Sequence, residues 1–138
     1  MTRREAREQA FILLFEKSFN EDVPMSDIIY SASQERLIDF DDFSRDLATK
    51  ACEHSAEIDA LIESNLRGWK LNRISRVSVV LMRLALCEML YFPEIPNSVS
   101  INEAVELCKT YGGENDYSFI NGVLGSAERA LTGNAGKE

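Results

Sequence analysis

Three arginines lie within the first seven residues and offer a site for an anion. Arg3 and Arg7 are four residues apart, and Arg4 follows Arg3 directly. On a helix, these positions share one side of the first two turns. The amino end of a helix carries partial positive charge, so cations there indicate an anionic ligand. The alternative is a solvated face that Glu8 partly neutralises, and charge alone leaves both interpretations open.

A second group of side chains combines a cation, aromatic rings and amides near the carboxyl end. Aromatic rings beside cations and amides are what proteins use to bind unstacked RNA bases. Each signal is weak by itself, and for Tyr111 and Phe119 taken alone a place in the core is the better interpretation. The group comprises Lys109, Tyr111, Asn115, Tyr117, Phe119 and Asn121.

An acidic residue, Glu88, stands in the most apolar stretch of the chain, residues 77–92. This stretch is shorter than a membrane span and carries two charges, so it predicts a central helix wrapped by other helices. Glu88 is then either a member of an internal ion pair or the mark of an uncovered strip where another molecule docks. Arg83 is five residues away, which is poor spacing for a pair on one helix. Composition alone favours the internal pair.

Patterns typical of catalysis and cofactor binding are not found. The one histidine, His54, has no serine or cysteine at the spacing of a nucleophile, and no Gly-rich phosphate loop or metal-ligand cluster occurs. We therefore expect no catalytic residue, no metal site and no cofactor. The adjacent Gly112 and Gly113 follow a helical pattern, so they predict a helix stop.

Composition is that of one soluble domain of 138 residues with a net charge of −8. This charge argues against a large non-specific nucleic-acid surface but allows a small basic patch. The three cysteines, Cys52, Cys87 and Cys108, are odd in number and far apart in sequence. They predict reduced thiols in a cytoplasmic protein, and nothing at the start of the chain resembles a signal peptide.

Helical periodicity runs along the chain, and no segment alternates for long enough to be a strand. Thr2 and Glu5 fit a capping box, so a helix should start at once. Ser100 and Glu103 fit a second one, which predicts that a helix begins there after a loop over residues 92–99. A break is expected at residues 54–55.

The sequence also predicts how Trp69 and Gly122 pack. Trp69 is expected to pack under the turn that follows Gly68. Gly122, inside the last helix, is expected to permit close contact between helices, because it costs about 1 kcal/mol relative to alanine there.

Four segments in chain order carry a family resemblance. They read R-R-E-A-R-E-Q-A, R-L-A-L-C-E-M-L, I-P-N-S-V-S-I-N-E-A-V-E-L-C-K-T-Y-G and S-F-I-N-G-V-L. Together they resemble the NusB family of bacterial transcription antitermination factors over about residues 2–131, most specifically over 101–124. The resemblance implies an all-α fold of about seven helices in two packed bundles, with one domain at residues 1–131 and a polar tail at 132–138.

The resemblance also implies partners. Members of the family bind the boxA element of nascent ribosomal RNA together with ribosomal protein S-ten (NusE). They join other antitermination factors on RNA polymerase and so suppress termination. Neither a membrane nor catalysis is implied, and a homodimer of the free protein stays open.

By position, the resemblance places Arg3, Arg4 and Arg7 in the RNA-binding start and Glu88 at the surface for the ribosomal protein. This moves the interpretation of Glu88 from the ion pair to partner binding, through a basic residue of that protein. Arg83 is predicted to belong to the same surface. The full set of predicted RNA-binding residues is Arg3, Arg4, Arg7, Lys109, Tyr111, Asn115 and Phe119.

The chain departs from the family pattern at three positions. Glu5 stands inside the arginine cluster, Phe15 replaces a frequent tyrosine, and Cys87 replaces the usual aromatic residue before Glu88. Two rival interpretations remain. One is a freestanding relative of the NusB-like domain of RNA methyltransferases, and the other is a helical adaptor or homodimer that binds no RNA.

Overall fold

The chain folds into helices joined by short loops, and the computed structural model describes residues 1–133. A single 3-10 turn, Leu71–Arg73, precedes the central helix. Within the described residues all remaining regular structure is α-helical, as predicted. The helices are α1 (Arg3–Phe19), α2 (Met25–Arg36), α3 (Asp42–Glu53), α4 (Ser55–Ser64), α5 (Arg76–Tyr91), α6 (Asn97–Tyr111) and α7 (Asp116–Thr132).

Helix α5 lies at the centre, which confirms the prediction from its apolar sequence. It packs against α1, α3, α4, α6 and α7, while α2 covers α1 and α3. Ten of its residues are buried, including Glu88. The Ser75 hydroxyl caps its start by accepting from the Ser78 N–H, and the helix ends at Tyr91, two residues before Pro93. The first three helices therefore form one bundle, α4–α7 form the other, and α5 joins them.

Local capping signals set several of the boundaries. The Thr2 hydroxyl accepts from the Glu5 N–H at 3.0 Å, and the Glu5 carboxylate accepts from the Thr2 N–H at 2.8 Å. This confirms the first capping box. The expected break at residues 54–55 is also present, because α3 ends at Glu53 and α4 begins at Ser55.

The second capping box is wrong. Helix α6 begins at Asn97 with Pro96 at the N-cap position, one turn earlier than predicted. The Pro96 carbonyl accepts from the N–H groups of Val99 and Ser100, so the first turn forms before Ser100 is reached. Ser100 is therefore inside the helix, and its hydroxyl serves a tertiary contact described below.

The two packing predictions are also wrong. Trp69 does not pack under a turn, because 58% of its surface is exposed. A side-chain carbon at Gly122 would have no neighbour within 4 Å, so this glycine opens space instead of allowing close helix contact. Thr132, placed in the predicted tail, ends α7. Residues 134–138 of that tail lie outside the described part of the chain.

Candidate nucleic-acid interface

Arg3 and Arg4 lie on the surface at the start of α1. The Arg4 guanidinium donates two hydrogen bonds to the Glu103 carboxylate of α6, at 3.0 and 2.9 Å, while 69% of the Arg4 side chain stays exposed. The Arg3 guanidinium lies 3.9 Å above the ring of Phe43 in α3. A cation–π contact of this kind orients a guanidinium without satisfying its hydrogen-bond donors. Both cations therefore present donors to solvent at the junction of α1 with α3 and α6.

Arg7 does not share that open face, which corrects the expectation that the three arginines present one exposed side. Its side chain is 6% exposed and donates two hydrogen bonds to Glu88, at 2.8 and 2.9 Å. The reason is its place along α1. One turn beyond Arg3, α1 already packs against α3 and α5, so Arg7 points into the protein toward Glu88.

Glu88 takes the internal ion pair that composition had favoured. Its carboxylate also accepts a hydrogen bond from the Ser100 hydroxyl at 2.8 Å, and 1% of its side chain is exposed. The three side chains tie α1, α5 and α6 together. In this state the carboxylate is enclosed, so the expectation of an uncovered acid on α5 is wrong.

Arg83 lies on the opposite side of α5 and is paired within the chain. It donates two hydrogen bonds to Asp59 of α4, at 2.7 and 2.9 Å, and about a quarter of each side chain is exposed. The structure does not bring Arg83 and Glu88 together on one open surface.

The aromatic group gathers where α6 ends and α7 begins. The Tyr111 ring packs 5.0 Å from Phe11, and its hydroxyl donates to Glu8 at 2.6 Å, which raises the pKa of the tyrosine. Lys109 pairs with Glu106 at 3.1 Å. Its ammonium also lies 5.3 Å from the centre of the Tyr117 ring.

Asn115 and Phe119 occupy the first turn of α7. Asn115 is the exposed N-cap residue, and its carbonyl accepts from the Phe119 N–H. The Phe119 ring is half-buried against the core. The interpretation of Tyr111 and Phe119 as core residues is therefore partly right, since each buries one part of its ring and leaves another part accessible.

Acidic side chains lie beside several of the predicted RNA-binding groups on this face. Glu103, Glu8 and Glu106 each hold one of the predicted RNA-binding groups, namely Arg4, Tyr111 and Lys109. Arg4, Glu8, Glu103 and Glu106 line a shallow cavity of about 180 Å³ between α1 and α6. The hydrogen bond from Arg4 lowers the pKa of Glu103, which keeps this carboxylate charged at neutral pH. A phosphate that binds Arg4 must therefore compete with Glu103.

Sequence reasoning missed Ser100, Glu103 and Phe43 as members of this region. Ser100 and Glu103 had been assigned to a local cap, and Phe43 is distant in sequence from the arginine that it supports. The only local signal was that Arg4 and Arg7 required acidic partners somewhere. No rule of spacing connects α1 to residues almost one hundred positions later.

Residues 1–133 were also compared with the requirements of metal sites, membrane spans and nucleophiles. They hold no group of three or more metal-ligating side chains and no helix long and apolar enough to cross a membrane. His54 stacks on Tyr91 at 4.1 Å and pairs with Glu57. Burial raises the pKa of the Cys87 thiol to about 12, so it is not a nucleophile at neutral pH.

Known proteins resemble the chain along nearly its full length. The profile of the NusB family matches residues 4–129. The transcription antitermination protein NusB of Listeria monocytogenes serotype 4a is 40% identical over 124 residues, which are 90% of this chain and 94% of the relative.

Solved structures agree with this match. The structure of T. maritima NusB superposes with a TM-score of 0.80 at 34% identity, covering 94% of this chain and 92% of that one. A chain from the crystal structure of antitermination factors NusB and NusE in complex with double-stranded RNA gives 0.81 at 26% identity, covering 94% and 99%. The predicted all-α fold of seven helices is confirmed.

The family of these relatives is non-enzymatic, which confirms the prediction of a protein without catalysis. The extent of the match, its identity and the shared fold lead to one conclusion: the chain belongs to the NusB family of transcription antitermination proteins.

Proposed function

We propose that the protein binds boxA-type single-stranded RNA in nascent ribosomal RNA transcripts together with ribosomal protein S-ten (NusE). With other antitermination factors it would act on RNA polymerase in the cytoplasm. The observation that supports this most directly is the open pair of cations at the start of α1, Arg3 and Arg4, beside the aromatic group of α6 and α7. A relative of the same fold has been solved with NusE and RNA.

Contacts within this face suggest how RNA would bind. Phosphates would bind Arg3 and Arg4, and unstacked bases would reach the exposed parts of Tyr111 and Phe119 and the amide of Asn115. Lys109, two residues before Tyr111, would supply a third cation. Arg7 would act indirectly, because its ion pair with Glu88 holds the start of α1 in place.

The electrostatics of the chain favour joint binding with a basic partner. The net charge is −8, and Glu8, Glu103 and Glu106 lie among the candidate RNA contacts. Such a surface attracts a polyanion weakly, so the ribosomal protein would add positive charge to the complex. The ion pair of Arg83 with Asp59, of which about a quarter of each side chain is exposed, supports a partner surface on α4 and α5. Glu88 would contribute by fixing α5 against α1 and α6.

A binding experiment with two partners tests the proposal. Fluorescence anisotropy of a labelled boxA-like RNA should rise weakly with the protein alone and strongly once the ribosomal protein is added. A scrambled single strand and a double-stranded RNA of equal length are the controls. Equal affinity for all three RNAs would leave only non-specific binding, and no RNA binding with or without the partner would refute the proposal.

Gel filtration of the free protein tests the homodimer, which stays a prediction.

A further inference from the structure

A trough along α7 is lined by positive charge without any acidic side chain. Its cavity of about 350 Å³ contains two arginines and no carboxylate, in a chain with 23 acidic and 15 basic residues. We call it the α7 trough. Among residues 1–133, neither Arg67 nor Arg129 forms an ion pair within 4 Å. The α7 trough is lined by Asn65, Leu66, Arg67, Trp69, Ser118, Phe119, Gly122, Val123, Ser126 and Arg129.

One face of α7 forms the floor and one wall of the α7 trough. Phe119, Gly122, Ser126 and Arg129 follow one another at intervals of three, four and three residues, so they lie on one face of α7. This stripe is about 15 Å long, given a rise of about 1.5 Å per residue. Gly122 carries no side chain and has open space in front of it, so the floor is lowest between the aromatic and the cationic end.

The segment between α4 and the 3-10 turn builds the other wall. The Ser126 hydroxyl donates to the side-chain carbonyl of Asn65 at 2.6 Å, which fixes this segment against α7. Gly68 adopts a left-handed conformation, with φ of 78°, that other residues rarely take, and the chain turns there. Trp69 follows directly and leaves 58% of its surface in solvent.

The indole of Trp69 is largely exposed and lies beside two guanidiniums that have no ion-pair partner among residues 1–133. This combination matches the chemistry of single-stranded nucleic acid. Bases stack on aromatic side chains, and arginines hold the phosphates between them. The volume of the trough is at the lower end of the about 300–1,000 Å³ that small-molecule sites occupy, which suits a single nucleotide. The next cavity along α7 shares Gly122 and Arg129 but includes Glu128, so the acid-free part ends there.

Position connects the α7 trough to the face described above. Phe119 lines the trough and is also one of the candidate RNA contacts at the start of α7. A strand of RNA that leaves Asn115 and Phe119 along the helix axis would therefore enter the trough directly.

We propose that the α7 trough binds single-stranded RNA that flanks the boxA segment, with one base stacked on Trp69 and adjacent phosphates held by Arg67 and Arg129. This inference rests on the proposed RNA-binding function. It adds a contact site that lengthens the RNA footprint beyond the arginines of α1.

Trp69 is the only tryptophan of the chain, so its fluorescence reports on the trough alone. The titration compares a short boxA-like RNA with two longer RNAs, which are extended by a few nucleotides at one end or at the other. All three RNAs should raise the anisotropy of a label on the RNA, whereas only one of the extended RNAs should quench the tryptophan. Substitution W69A should weaken binding of that extended RNA by roughly tenfold, given the usual strength of base stacking, and leave the short RNA unaffected.

Matched variants separate stacking from charge and from folding. W69F keeps an aromatic plane and should retain most of the affinity. Tyr30→Ala removes an exposed aromatic residue on α2, away from the trough, and should change nothing. Arg129→Ala should flatten the logarithmic salt dependence by about 0.7 for the extended RNA only. Circular dichroism should be unchanged in all three.

Each remaining outcome decides against the inference. If the short and the extended RNAs bind equally and the tryptophan fluorescence does not change, the trough binds no RNA and the proposed function stands without it. If fluorescence responds to the ribosomal protein and not to RNA, the trough is a protein contact. If neither RNA binds with or without that partner, the proposed function fails and this inference fails with it.

Discussion

Two arginine–glutamate pairs connect α1 to the rest of the molecule, and they differ in almost nothing but burial. Arg7 with Glu88 and Arg4 with Glu103 each form two hydrogen bonds of 2.8–3.0 Å. The side chains of the first pair are 6% and 1% exposed, whereas those of the second are 69% and 14% exposed. Only two residues of α1 lie between the two arginines.

Hydrogen-bond geometry alone therefore does not assign a role to an ion pair. In the enclosed pair, removal of one partner leaves a charge without solvent, so the pair is a structural unit. In the surface pair, water replaces either partner at little cost, so Arg4 can exchange Glu103 for another anion. The spacing of the arginines at the start of α1 therefore predicts their roles only when the exposed fraction of each side chain is known.

The largest expected effect comes from breaking the enclosed pair. Glu88→Lys sets a second cation against Arg7 in a closed site, and we expect a loss of about 3–5 kcal/mol or more in the free energy of unfolding. Urea denaturation followed by circular dichroism measures it. The control is Glu103→Ala at the surface pair, with an expected loss of at most about 1 kcal/mol.

A double substitution sharpens the same comparison. Replacing Arg7 with Met and Glu88 with Leu removes both charges at once, so stability should lie close to that of the parent protein, apart from the missing hydrogen bond of Ser100. If Glu88→Lys remains as stable as the parent protein but no longer binds the ribosomal partner, the enclosed pair is not structural and the acid serves the interface.

The next effect concerns RNA. Arg3→Ala combined with Arg4→Ala should lower affinity for boxA-like RNA several-fold and flatten the logarithmic salt dependence by about 0.7 for each phosphate that the variant no longer binds. Stability should change little, because both side chains are exposed. Anisotropy at several salt concentrations measures the slope. Arg36→Ala, on α2, removes a single surface cation, and half of the double variant's effect there would mean that only net charge matters.

The smallest effect should have the opposite sign. Glu103→Gln keeps a hydrogen-bond acceptor for Arg4 but removes the competing charge, so affinity for RNA should rise modestly. The pKa of Glu103 is held below its usual value of 4.5, so its contribution to stability is present above that pH and is lost as the pH falls through the lowered value. Glu103 is therefore ionised throughout the range from about pH 6 to 8, and the gain in RNA affinity from Glu103→Gln should be constant over that range. An unchanged or lower affinity would show that Glu103 positions Arg4 instead of competing for it.

Sequence patterns anticipated the scaffold where local physics decides. A capping box at Thr2 and Glu5 begins α1, Pro93 follows the end of α5, and Gly112 ends α6, because each acts on backbone groups within one helical turn. The apolar stretch of α5 also predicts its central place, since nearly every face of it must be covered. The family resemblance added the fold and the expectation that the start of the chain binds RNA.

Tertiary structure alone decided which polar residues are available to a ligand. Ser100 looked like a cap and bonds to Glu88, Arg7 looked like Arg4 and is enclosed, and Trp69 looked like a core residue and is exposed. In each case the deciding neighbour is many residues away, on α1, α5 or α7. Burial depends on how whole helices pack, and a hydrogen bond between distant segments leaves no period in the sequence. The sequence by itself therefore determined where charge and aromatic surface are concentrated, and the packing of the helices determined which of those groups face solvent.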